Sequence, residues 1–255
     1  MRSEMKQNGG RRKARVAAAI LTCVLAGAAF GCGNDAKQTT TDAETGIDDA
    51  KVVLSEKAER LRKIGSAFNM YANLRGALPP IYSADAQGRP LHSWRVLILA
   101  ELGEGELYSK IKLDEPWDSE WNSQFHSQMP AVFAASSDAS KTAFSVVVGE
   151  KTPFAVGKKH EIMKTADGTS NTFSVVERKT PVCWMDPTVE LTFDGFVDEL
   201  AKDADGNAVA LTLDGAPRLV PATVDAAALQ ALATASGGEP AVELERIEKP
   251  KSAAE

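Results

Sequence analysis

Between Ile47 and Leu74 the apolar residues fall at steps of three and four. They are Ile47, Val52-Val53-Leu54, Ala58, Leu61, Ile64-Gly65, Phe68, Tyr71-Ala72 and Leu74. Lys51, Glu56-Lys57, Glu59-Arg60 and Arg62-Lys63 fill the positions between them. A 3.6-residue repeat gathers the first set along one side of a helix and the second along the other. Asp48-Asp49 suits the first turn, where the helix dipole favours negative charge. Gly76 and then Pro79-Pro80 stop the helix. A helix with one apolar stripe needs a surface to cover, most simply a sheet.

The second half of the chain supplies that sheet. Ala143–Gly149 and Thr172–Glu177 are rich in β-branched residues and read as strands. Val209–Leu213 and Arg218–Pro221 flank Asp214-Gly215, a hairpin signal. Asp205-Gly206-Asn207 offers another turn. Val224–Ala233 reads as a short helix closed by Gly237-Gly238, and Glu239–Glu255 as a frayed, charged tail. The middle is less regular. Tyr82–Pro90 is a polar loop, and Ser93–Leu102 is a buried strand or a short helix, which periodicity cannot separate. Glu106–Ile111 reads as a turn or two of helix, and Asp114–His126 as a loop carrying Trp117 and Trp121. A long helix, an irregular middle, then strands and a small terminal helix make an α+β order with an antiparallel sheet.

The first residues read as an address. A basic stretch precedes the uncharged run Val16–Phe30, which is short of the ~20 apolar residues a spanning helix needs. Basic start, short apolar core and small residues at the end form the pattern of a secretory signal. Ala28-Ala29-Phe30-Gly31-Cys32 resembles a bacterial lipobox, with lipid attached to Cys32 after cleavage. Plain secretion and an uncleaved anchor are the alternatives. The expected division is signal peptide 1–31, flexible spacer 32–46, folded domain 47–240 and tail 241–255. Cys23 would leave with the signal and Cys32 would carry lipid. Cys183 would then stand alone, with no internal disulfide in the mature chain.

Charge narrows the partners. Residues 1–31 hold six of the 29 basic and one of the 35 acidic side chains, leaving −11 over the remaining 224 residues. Such a body repels phosphate backbones, so nucleic acid is an unsuitable partner. The membrane, through a lipid on Cys32, is the expected one, on the extracytoplasmic side.

Five segments carry a family resemblance. They are Leu61–Gly65 with Ala77–Pro80, Ser93–Leu99 with Leu107-Tyr108, and Pro116–Ser119 with Asn122. Asp167–Thr172 with Val176-Glu177, and Leu229–Leu232 with Gly237–Glu239, complete the set. In this order the chain resembles the pilin-like exported proteins abundant in planctomycete bacteria, the domain of unknown function 1559 family. The resemblance covers about residues 56–240. It implies a pilin-like fold, the long helix packed on the antiparallel sheet. Three departures limit what it implies further. A lipobox-like signal and polar spacer replace the pilin leader and its continuous apolar helix. Ala134–Asp138 lacks the cysteine of the family's CPSD segment, and Ala204 stands where a histidine often precedes the late Asp-Gly. Polymerisation into a pilus and a processing role are therefore not carried over.

The residues offer little chemistry. His92, His126 and His160 are far apart and lack zinc-ligand spacing. Asp203–Asn207 fails the calcium-loop count at its first and twelfth positions. Asp167–Asn171 contains a serine, but its composition is that of a tight turn. No phosphate-binding glycine loop is present, so no cofactor and no metal is expected. Cys183 lies in an apolar context and reads as an inert, buried thiol. Trp117, Asp118 and Trp121 form the one candidate ligand site, for a sugar or another envelope ligand. The expectation is a non-enzymatic lipoprotein that binds or assembles in the cell envelope. The alternatives are a minor pseudopilin-like subunit of a secretion system and a carbohydrate-binding module.

Overall fold

The computed structural model describes residues 41–134 and 138–249, the first ten of them by backbone alone. The signal segment, Cys32 and most of the expected spacer lie outside those residues. The fold is α+β with an antiparallel sheet and a helix near the N-terminus.

Helix α1 runs Thr41–Arg75 and ends where Gly76, at φ 78°, takes a left-handed turn and donates its N–H to Ala72. Its start lies within the expected spacer, six residues before Ile47. Thr41-Asp42-Ala43-Glu44 carries the helix-start spacing of a threonine and a glutamate three residues on, which the polar composition hid. Asp48-Asp49 therefore sits inside the helix rather than in its first turn.

Five strands form the main sheet in the order β3 (Lys141–Ser145), β5 (Phe173–Cys183), β7 (Ala208–Thr212), β8 (Pro217–Val220) and β9 (Glu245–Arg246), each pair antiparallel. Alternation along the strands sends side chains to two cores. On one face Val175, Val209 and Leu211 meet Leu61, Ile64 and Phe68 of α1. On the other, Val176, Ala208 and Ala210 meet Leu229 and Leu232 of α5 (Ala226–Leu232) and Phe196 of α4 (Phe196–Glu199). Both faces are covered, so β7 is buried along its whole length. The Asp214-Gly215 hairpin forms as expected between β7 and β8. Gly215 (φ 80°) comes so close to α1 that a Cβ on Gly65 would lie 2.9 Å from its Cα.

Two further expectations change, and one left open is resolved. Tyr82–Pro90 is not a simple loop: β1 (Tyr82–Ala84) and β2 (Pro90–Ser93) pair across it. Asp85 closes the turn by accepting the N–H groups of Gln87 and Arg89. The apolar run after it resolves into the end of β2 and the short helix α2 (Trp94–Leu97), followed by α3 (Gly105–Lys110). The tail does not simply fray. Leu244 is buried and β9 hydrogen-bonds to β8. A small parallel pair, β4 (Val147–Val148) with β6 (Leu191–Thr192), completes the strands described.

Candidate binding surface

Most of the polar residues that stand out in the sequence are spent on holding this fold. Arg95 is fully buried. Its guanidinium lies 2.6 Å from Glu190 Oε1, donates to the carbonyl of Phe144 and covers the Trp94 ring at 4.6 Å. The other oxygen of Glu190 accepts the Val146 N–H, so α2 is tied to the bend between β3 and β4. Ser93 donates its hydroxyl to the carbonyl of Trp184. The buried side-chain amide of Asn122 accepts from the Lys112 N–H and donates to the carbonyls of Lys112, Glu115 and Pro116, closing the tryptophan loop. Asp167 accepts the N–H groups of Gly237 and Gly238 at 2.7 and 3.0 Å. The Asp167–Asn171 turn and the glycine pair after α5, 70 residues apart, thus form one joint. These are buried or chain-closing contacts of the kind that cost most when broken.

The three sequence-chosen ligand residues share one loop. Trp117 is half-buried, stacks on His126 at 5.1 Å and donates its backbone N–H to Leu91. Trp121 is 44% exposed, but its indole N–H donates to the carbonyl of Lys110 and the Lys112 ammonium lies 4.8 Å over its ring. Asp118 is exposed. No ring contact joins the two indoles among the described residues. Each ring is already engaged by its own neighbour.

The remaining titratable candidates are also built in. His92 is buried, not loop-borne; Nε2 meets the carbonyl of Lys112 at 3.1 Å and Nδ1 has no partner among the described residues. Nε2 must therefore carry the proton, and burial holds the ring below the usual histidine range. His160, paired with the Thr165 hydroxyl, is lowered by burial as well. Cys183 is half-buried at the end of β5, and burial pushes its thiol above the usual range, away from reactive thiolate. Asp203 closes its own turn by accepting the N–H groups of Asp205 and Asn207. Among the described residues no group of three or more metal-ligating side chains gathers.

An open cleft lies elsewhere, under the N-terminal part of α1. From Ala58 to Phe68 the apolar stripe of the helix is buried. Before Ala58 it is not: Leu54 is half-buried, and Val52 and Val53 are 55% and 59% exposed. The sequence stripe therefore overstates the packed length of the helix. Beneath it opens a groove of about 560 Å³, within the ordinary range of ligand clefts. Leu54, Ala201, Ala208 and Val209 line it, and Val53 stands at its mouth. Lys57 bridges the walls to Glu177 of β5 at 2.5 Å. Lys51 and Lys202 also line the groove, and neither is in an ion pair among the described residues. Sequence reading missed this groove because its walls come from segments roughly 150 residues apart. The available signal was three valine and leucine residues in a row, one more than a narrow stripe needs.

Comparison with known proteins agrees with the motifs. Residues 58–165 match the family model described as a protein of unknown function (DUF1559). Over that stretch the chain is similar to that family. The matched span holds the packed part of α1, the SWRV segment and Asn122, and ends just before the Asp167 turn. No curated protein and no solved structure matches the chain.

Proposed function

We propose that this protein is a non-enzymatic, lipid-anchored protein of the extracytoplasmic envelope, built on a pilin-like domain, that works by binding at the groove under α1. The carrying observation is the contrast between that groove and the residues of the sequence motifs. The motif residues are consumed by the fold, whereas the groove is mainly apolar, open and fringed by Lys51 and Lys202, neither in an ion pair among the described residues. An apolar cleft with a few polar groups at its edge is the usual form of a binding site.

The anchor rests on the sequence alone: a basic start, a short apolar run and small residues before Cys32. No helix among the described residues is long and apolar enough to cross a membrane. A chain extends by at most about 3.6 Å per residue, so lipid on Cys32 would keep Lys51 within a few tens of ångströms of the bilayer.

Two measurements test this reading. Radioactive palmitate should label the wild-type chain and not Cys32→Ala; equal labelling of both removes the anchor. A photo-reactive amino acid at Val53 should give an adduct in cells, and the same group at Met163, which is 93% exposed, should not. Equal adducts at both positions, or none at either, remove the groove as the working surface.

A further inference from the structure

Resting on the groove as the binding surface, we infer that its occupant is a single-chain amphiphile with an anionic head, a long-chain carboxylate. Three observations lead there. The floor is aliphatic, with Leu54, Ala201, Ala208 and Val209 and no aromatic ring, which suits a flexible hydrocarbon rather than a planar ligand. The main chain of the walls is already paired. Ala201 donates to Glu177, Asp203 donates to Asn207, and β7 is held by strands on both sides. A peptide laid in the groove would find no strand edge to bond, and edge bonding is what holds extended peptides. A hydrocarbon chain needs no such partners.

The third observation is charge. Lys51, Lys57 and Lys202 line the groove with two acids, Glu177 and Asp203. Glu177 is taken by Lys57, and the Asp203 carboxylate is taken by its own turn. Among the described residues two ammonium groups, Lys51 and Lys202, remain without an ion pair, in a chain whose net charge is −6. Their aliphatic stems extend the apolar wall while the heads reach water, so a carboxylate at the mouth would meet them as the tail enters.

The test uses the full chain carrying Cys32→Ser, titrated calorimetrically with tetradecanoate, its methyl ester and tetradecyltrimethylammonium, all below micelle formation. Tetradecanoate should bind one per chain and the cationic amphiphile should not. Lys51→Glu with Lys202→Glu should weaken tetradecanoate about tenfold, as expected for two exposed charge contacts. Ala201→Phe, which fills the floor, should abolish binding at an unchanged melting temperature. If that variant melts early, Val53→Asp at the exposed mouth serves instead and should weaken binding. Equal binding of all three titrants, indifferent to the lysines, overturns the anionic head while leaving the groove as a binding site. A protein adduct at Val53 with no titrant bound overturns the amphiphile and likewise spares the groove. No titrant bound and no adduct at Val53 overturns both.

Discussion

The two parts of α1 share one apolar repeat and have opposite fates. From Ala58 to Phe68 the stripe is sealed against the sheet, and at Gly65 the helix comes within touching distance of the Gly215 turn. From Lys51 to Lys57 the same repeat overhangs a groove, its valines exposed and its lysines at the rim. Periodicity reports which side of a helix is apolar; it does not report what lies beneath. The first part is a wall of the core and the second is half of a cleft.

Four substitutions or conditions sharpen that comparison, beginning with the largest effect. Leu61→Ala empties a fully buried position and should cost about 2–5 kcal/mol in urea unfolding. Gly65→Ala forces a methyl against backbone atoms of Gly215 at 2.9 and 3.1 Å, and should cost about 1–3 kcal/mol. Acid acts on the packed region through His92 and His160. Both are held below the ordinary histidine value by burial. A lowered folded value means the unfolded chain binds protons first as pH falls. Stability should therefore be complete above about pH 6.5 and decline below it. The urea midpoint should drop between roughly pH 6.5 and pH 5.5, and drop less in His92→Gln. Val53→Ala, on the overhanging part, should change stability by less than about 0.5 kcal/mol. A cost for Val53→Ala near that of Leu61→Ala would erase the distinction.

Much of the packed region was legible in the sequence because its signals are local. The three-and-four spacing marked the helix, Gly76 its end, and Asp214-Gly215 the hairpin between β7 and β8. Other elements gave no local signal. β5 continues through Arg178-Lys179-Thr180-Pro181 to Cys183, past residues that normally end a strand. There it has left β7, pairing with β3 at Lys141 and Thr142 and bridging to Leu200 at Arg178, and such an edge tolerates charge and proline. β9 is two charged residues, held by backbone bonds to β8 and by the burial of Leu244 next to it. The hairpin of β1 and β2 rests on Asp85 closing its own turn, which composition alone renders as a polar loop. At the level of the site, the tryptophan loop was visible and the groove was not. Trp117 and Trp121 stand out in any sequence, yet His126 and Lys112 occupy their faces. Lys51, Ala201 and Lys202 are unremarkable residues that only the fold brings together.

Amide hydrogen exchange along α1 tests the account most directly, because local opening follows the burial around each turn. The account predicts that amides from Ala58 to Phe68 exchange only with global unfolding. Those from Lys51 to Lys57 should exchange markedly faster and slow down when tetradecanoate is added. Uniform protection from Lys51 through Phe68, unchanged by the ligand, would contradict it.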